Sequence, residues 1–356
     1  MAGLKKRVSR REFLRMGAGS AGALLAGSSL VSCAGSKKES VYKNKPEDHI
    51  NLATWYTCEE GWPKKPAGFG CGAVAGVAVD GEENVWVFTR TKPPVQVYNP
   101  EGKLIRSWGD DLVKTAHYMK IDKQNNIWIA DCGTHLVRKC SREGKVLLTL
   151  GTEGVAGDDK KHFNLPTDMA VLPNGEVFVS DGYGNNRIVH FDAKGRFIKQ
   201  WGKKGVRPGE FHTPHCIQVD STGRLYVADR SNSRVQVFDY DGKYLAEWRD
   251  IMVPWGIWIS DKDDIWICGS TPMTWEEGGE VFGCPPKDQL VIKFNREGKV
   301  LQISSFPKGK DKKERPGELN WVHGIALDSK GNLYLGDIMG KRIQKFVRHT
   351  DPKAKT

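Results

Sequence analysis

Imidazole is the side chain best suited to hold a transition metal at neutral pH. Three of the nine histidines in this chain fall in phase with an internal repeat. His117, His215 and His323 each stand four residues before the reference residue of an apolar run, at Ile121, Val219 and Leu327. Three neutral imidazoles meeting at one point leave a fourth coordination position free for water or substrate, the donor set of a catalytic zinc. The same three rings can instead cap a channel through hydrogen bonds. His49, His135, His162, His190, His212 and His349 share no such phase and read as surface or packing residues.

The phase comes from six copies of one unit. One copy runs Ile121-Asp122…Ile127-Trp128-Ile129-Ala130-Asp131, then Leu136-Val137-Arg138-Lys139, then Gly144-Lys145-Val146-Leu147. Reference residues at 79, 121, 171, 219, 259 and 327 give intervals of 40 to 68 residues. Short alternating runs separated by Gly, Asn and Asp turns are hairpins. Four such strands per period near forty residues make a propeller blade. The chain is therefore all-β, a six-bladed β-propeller over residues 49–350. The last unit lacks its outer strand, and Ile50–Tyr56 is expected to supply it and close the ring. The column four residues before the reference position reads Ala75, His117, Thr167, His215, Trp255, His323. Histidine thus occupies alternate blades, a third of a turn apart around the axis. Asp131, Asp181, Asp229 and Asp337 recur in four blades, which marks structural turns rather than chemistry.

Composition agrees with this architecture. In 356 residues, 39% hydrophobic and 27% charged content excludes a disordered, collagen-like or coiled-coil chain, while Gly 40 and Trp 12 suit many short strands. The formal charge of +11 suggests nucleic acid, but the first 32 residues carry a net +5 of it. With that segment removed and no nucleic-acid motif present, no nucleic-acid partner is expected. The basic run Lys308, Lys310, Lys312, Lys313, Arg315 reads as a solvated loop.

Residues 1–32 read as an address. Ser9-Arg10-Arg11-Glu12-Phe13-Leu14-Arg15 resembles a twin-arginine export signal, and Met16–Val31 is too short for a stable membrane span. Leu30-Val31-Ser32-Cys33 resembles a lipobox, which would lipidate Cys33 and anchor the mature protein in a membrane. Residues 33–48 are a polar tether and 351–356 a tail. The expected location is the cell envelope, as a monomeric periplasmic or cell-surface lipoprotein. An oxidising destination permits disulfides. Cys58–Cys71, Cys132–Cys140 and Cys268–Cys284 are candidate local pairs, but seven cysteines beyond Cys33 is an odd number and the sequence alone fixes no pairing.

Phe178-Val179-Ser180-Asp181-Gly182-Tyr183-Gly184-Asn185-Asn186-Arg187-Ile188-Val189, Phe211-His212-Thr213-Pro214-His215 and Phe88-Thr89-Arg90 carry a resemblance. With Ala116-His117 and Val322-His323, they resemble the peptidyl-α-hydroxyglycine α-amidating lyases, zinc enzymes of the NHL-repeat propeller type. The resemblance spans roughly residues 50–348. It implies zinc on His117, His215 and His323, a catalytic Tyr183, and Arg90 as the active-site arginine. It also implies cleavage of a carbinolamide, in a peptide or other small amide, to an amide and glyoxylate. A phenol titrates near ~10 in water, so a tyrosine base needs a cation beside it. Three residues depart from the family pattern. Trp321 replaces a methionine that lines the substrate pocket. Gly324 replaces a calcium-binding aspartate, and Gly184 replaces a cysteine. One position after the histidine column, Asp168 offers a carboxylate, so it is the expected holder of a calcium. The contrasting expectation is a non-catalytic propeller that binds protein, peptide or glycan around a structural metal. Trp321 favours that reading; the intact histidines, Tyr183 and Arg90 favour the enzyme.

Overall fold

The computed structural model describes residues 54–271 and 288–350. The export signal, Cys33, the tether, the 351–356 tail and Cys284 lie outside the described residues. The described strands form six four-stranded antiparallel sheets, so the chain is a six-bladed β-propeller. In blade order the innermost strands are Val74–Val79, Ala116–Ile121, Asp168–Val171, Pro214–Val219, Val253–Ile259 and Val322–Leu327. Each packs beside the innermost strand of the next blade, and the sixth packs against the first. The ring is closed as expected. Thr54–Cys58 pairs antiparallel with Arg342–Thr350 and supplies the sixth blade's outer strand, reaching two residues beyond the expected Tyr56.

Burial explains why the sequence looks apolar at blade centres and alternating at the rim. The second strands Val85–Thr89, Ile127–Asp131 and Val177–Asp181 are buried at every position, because blades cover both of their faces. The outer strands Leu104–Trp108 and Phe197–Trp201 alternate in exposure, because one face meets water.

Two kinds of aspartate, each present in four of the six blades, hold the hairpins together. Asp122 accepts the backbone N–H groups of Gln124 and Asn126 at the hairpin turn, and its other oxygen accepts the Trp128 indole N–H at 3.0 Å. Asp80 serves Trp86 in the same way, while Asp220 and Asp328 accept the hydroxyls of Tyr226 and Tyr334. The buried aromatic payload is thereby anchored with its polar atom satisfied. The second kind is the recurrent strand-end residue. Asp229 accepts the His212 N–H at 2.7 Å and pairs with the Arg234 guanidinium at 2.7 Å, both side chains fully buried. Asp131, Asp181 and Asp337 likewise take backbone N–H groups from the segment entering the blade. Their expected structural role is what the structure displays.

Two of the local disulfides, Cys58–Cys71 and Cys132–Cys140, are not formed, all four being free thiols; the third involves Cys284, outside the described residues. For Cys132 and Cys140 the reason is geometric. Ile127–Asp131 and Leu136–Cys140 pair so that Cys140 faces Ile127, at the opposite end of the hairpin from Cys132. Cys132 lies five positions from Ile127, about 16 Å along an extended chain, and a disulfide needs Cα atoms within about 7 Å.

Candidate metal centre on the propeller axis

A register defect aims the histidines. In five innermost strands one extra residue slips into the pairing with the second strand: Ala75, His117, His215, Trp255 and His323. In the third blade the innermost strand starts just after that position, at Asp168. An extra residue of this kind is a β-bulge, which bends the strand and redirects its side chain. The bulges fall on the histidine column itself.

All three rings are buried, and their centroids lie 4.7, 4.8 and 4.9 Å apart. The candidate donor atoms lie within 4.8 Å of one another. Each ring is oriented by the next blade. The Nδ1 of His117 lies 2.6 Å from the Thr167 carbonyl, that of His215 lies 2.7 Å from the Trp255 carbonyl, and that of His323 lies 2.6 Å from the Ala75 carbonyl. A carbonyl can only accept, so Nδ1 carries the proton and Nε2 presents its lone pair. The three non-histidine members of the column are thus the orienting partners of the three histidines. Fixing the tautomer through a carbonyl is the usual support of a metal-binding imidazole. Burial is the main force keeping the rings neutral. It holds His117 well below the ordinary imidazole value with help from His323 and Arg90, and His215 with help from Arg230. Burial and then Arg90 bring His323 down to about 3. Neutral, Nε2-directed and convergent, the donor set fits zinc.

Tyr183 reaches the same point. It follows the strand Val177–Asp181 by two residues, and its hydroxyl lies 2.9 Å from His117 Nε2 and 3.3 Å from His215 Nε2. Arg90, expected at the site, is among the charges acting on His117 and His323, and its Nε donates to the Ala116 carbonyl at 3.1 Å. A second guanidinium was missed from sequence. Arg230 donates to the Tyr183 hydroxyl at 3.4 Å and lies 5.4 Å from the Tyr183 ring and 5.0 Å from the Trp255 ring. A signal for it exists. The register pairs Thr89 with Val74 and Asp229 with Pro214, so Arg90 and Arg230 hold one column in blades one and four, opposite each other.

Trp321 lies at the entry to the sixth innermost strand with φ +85°. A bulky residue in the left-handed region is strained, and such strain gathers at functional sites. Its ring meets Trp255 edge to face at 4.5 Å, and Trp255 flanks both His215 and His323. Of the remaining described histidines, His190 is buried against Phe178 and bonded to Glu176, His162 pairs with Asp159, and His349 stacks on Trp55.

Asp168 departs from expectation. Its carboxylate is fully buried and already holds a cation, the Lys120 ammonium at 3.2 Å. It also accepts the Ile217 N–H at 3.0 Å and the Cys216 thiol at 2.9 Å. Burial opposes the Lys120 charge, and Asp168 more than restores it, so the lysine is raised above its ordinary value. The carboxylate expected to hold a calcium is thus paired with a cationic side chain of the protein.

Comparison with known proteins accords with this geometry. A family model described as a 6-bladed beta-propeller matches residues 169–262. A probable peptidyl-alpha-hydroxyglycine alpha-amidating lyase of Caenorhabditis elegans is 31% identical over 257 residues, covering 70% of this chain and 68% of that protein. The chain belongs to the peptidyl-α-hydroxyglycine α-amidating lyase family. Peptidyl-glycine alpha-amidating monooxygenase of Mus musculus is 37% identical over 310 residues, 78% of this chain, but the chain spans only 30% of that longer protein. Human NHL repeat-containing protein 3 is 33% identical over 320 residues, 82% of this chain and 84% of that protein. The chain is thus an amidating-lyase-like NHL propeller, whose relatives include both lyases and a protein named only for its repeats.

Proposed function

We propose that the chain is a zinc-dependent carbon–nitrogen lyase that cleaves a carbinolamide, R-CO-NH-CH(OH)-COO⁻, to an amide and glyoxylate. The observation that carries this reading is the Tyr183 hydroxyl, set within 2.9 and 3.3 Å of two Nε2 atoms of the histidine trio. His117, His215 and His323 would hold the zinc, which when bound acts as a Lewis acid and lowers the pKa of a coordinated hydroxyl. Tyr183 oxygen removes the proton of the substrate hydroxyl as the C=O bond of glyoxylate forms. The C–N bond breaks, its electron pair goes to the amide nitrogen, and the proton taken up by Tyr183 passes to that nitrogen to give R-CO-NH₂. Arg230, 3.4 Å from the phenol oxygen, stabilises the phenolate form in which Tyr183 accepts that proton. Arg90 and Arg230, on opposed blades, offer planar forks to the substrate carboxylate. Trp255 and Trp321 form the apolar wall beside the trio. The substrate is a small amide or peptide-like molecule.

The test is glyoxylate release from an α-hydroxyglycine amide by zinc-loaded protein, beside zinc content of the same sample. Zinc without turnover on any acyl group would leave a binding propeller with a structural metal. That second reading draws on the likeness to NHL repeat-containing protein 3 and on Trp321 beside the site. We further propose export by the twin-arginine route and anchoring through Cys33, on the motifs Ser9–Arg15 and Leu30–Cys33. Radiolabelled palmitate incorporation, absent in Cys33→Ser, checks the anchor.

A further inference from the structure

The layer one residue beyond the histidine column is built asymmetrically. It reads Gly76, Tyr118, Asp168, Cys216, Gly256 and Gly324 around the ring. Three neighbouring blades carry polar side chains and the other three carry glycine. Gly256 makes room for the Tyr118 ring, and Gly76 lets the neighbouring backbone approach. A Cβ on Gly256 would lie 2.7 Å from the Tyr118 hydroxyl and 2.6 Å from the His323 carbonyl, and one on Gly76 would lie 2.8 Å from the Met119 nitrogen. Tyr118 crosses the axis beneath the trio, with ring centroids 5.3, 5.9 and 5.1 Å from His117, His215 and His323. Its hydroxyl donates to the carbonyls of Trp255, at 2.9 Å, and His323.

Lys120, Asp168 and Cys216 complete this floor. The Lys120 ammonium lies 3.2 Å from Asp168 Oδ2, 4.0 Å from Cys216 Sγ and 5.2 Å from the Tyr118 ring centre. Asp168 Oδ2 accepts from Cys216 and Ile217, and Cys216 Sγ in turn accepts the Ile257 N–H at 3.2 Å. Asp168 Oδ1 has no hydrogen-bond partner, so Lys120 is the charge that compensates the buried carboxylate. Lys120 also lines a cavity of 280 Å³ whose other walls include Val77, Met119, Asp122, Gln218 and Trp258. Each clamp residue is close in sequence to the metal-site apparatus. Lys120 follows His117 by three residues, Cys216 follows His215, and Asp168 follows Thr167, whose carbonyl orients His117.

From this network we infer that Lys120 and Asp168 are positioning residues of the metal centre: an internal cation on blade two draws blades three and four to it and so sets the separation of His117 and His215. The inference rests on the zinc reading of the trio. It assigns these two residues no contact with substrate or metal.

The experiment is zinc affinity by competition with a chromophoric chelator, alongside Tm of the metal-free protein. Wild type, Lys120→Met, Asp168→Asn and the double variant are compared. Removing one partner strands a buried charge or its counter-ion, whereas removing both leaves a neutral interior. Each single variant is expected to lose Tm and to bind zinc about 10–100-fold more weakly, the usual effect of losing a supporting partner. The double variant should recover most of the Tm, yet bind zinc at least about tenfold more weakly than wild type, because the clamp is gone. Recovery of both properties together in the double variant would overturn the positioning role, as would wild-type affinity in every variant. Absence of zinc binding in wild type would remove the lyase reading and this inference with it. Loss confined to the variants separates the two. Should the single variants fail to fold, the double variant alone decides the matter.

Discussion

The blade turns and the propeller axis handle the same repeat in opposite ways. At the turns, Asp80, Asp122, Asp220 and Asp328 meet one need four times, each accepting its hairpin N–H groups and an aromatic N–H or O–H six residues on. On the axis, no two adjacent blades carry the same residue in the histidine column, and the layer beneath divides into polar residues and glycines. Recurrence marks what every blade needs in order to fold. Departure from recurrence, when it obeys the symmetry of the ring, marks what the whole ring does once. Histidine on alternate blades and arginine on opposed blades are both departures of that kind.

This contrast predicts that axial substitutions remove chemistry and spare the fold, while turn substitutions do the reverse. The largest effect is expected at Tyr183. Tyr183→Phe should keep its zinc and its Tm but lose about 10²–10⁴-fold in turnover, the range of a general base. Unchanged glyoxylate release would remove Tyr183 from the mechanism. Asp229→Ala should do the converse. It takes one of two carboxylates from the buried Arg234 guanidinium, Glu247 remaining, and leaves the His212 N–H without its acceptor; each group so deprived costs about 1–3 kcal/mol in chemical denaturation, while the folded fraction still binds zinc. A variant that instead loses zinc at full stability would put the recurrent aspartate on the wrong side of the comparison.

Acid should separate the regions too. His323 stays neutral in the folded, metal-free chain down to about 3, whereas the unfolded chain takes up that proton near ~6.5. Its folded value is depressed, so its contribution is complete above pH ~6.5 and is lost as pH falls from there towards the folded value. The folding free energy of metal-free wild type should therefore fall more steeply with acid than that of His323→Gln, by about 1.4 kcal/mol per pH unit across this window. Parallel pH profiles would contradict a buried neutral ring. The smallest effect belongs to Trp128→Phe, which removes the indole N–H from Asp122 without emptying the blade. A loss of about 1 kcal/mol is expected from the one hydrogen bond removed, since Asn126 and Lys139 still hold that oxygen, with zinc uptake and turnover unchanged.

Much of this was legible in the sequence, for a physical reason. Blade periodicity follows from hairpin turns and strand alternation, and both are local. Ring symmetry then converts phase into position, so His117, His215 and His323 were found by counting alone, and the missing sixth outer strand pointed to closure by the N-terminal segment. The bulges were not legible, because an extra residue in one strand keeps the spacing and changes only the pairing. They decide where the imidazoles point. Arg230 was in view as the blade-four counterpart of Arg90, and the column comparison that found the histidines would have found it. Asp168 was singled out as the lone carboxylate of its column. Its partner Lys120 comes from the neighbouring blade two positions further along, and a single column cannot display a diagonal contact. The Cys132–Cys140 pair failed for the opposite reason, since nearness in sequence put the two cysteines at opposite ends of one hairpin.

The central claim is that a ring-symmetric break in the repeat creates one metal centre. It is tested most directly by the zinc content of the purified domain, folded with zinc present, for wild type beside His215→Ala and Asp229→Ala. The account predicts one zinc per chain in wild type and in Asp229→Ala, and none in a His215→Ala protein of normal strand content. No zinc in wild type, or zinc retained without His215, would contradict it.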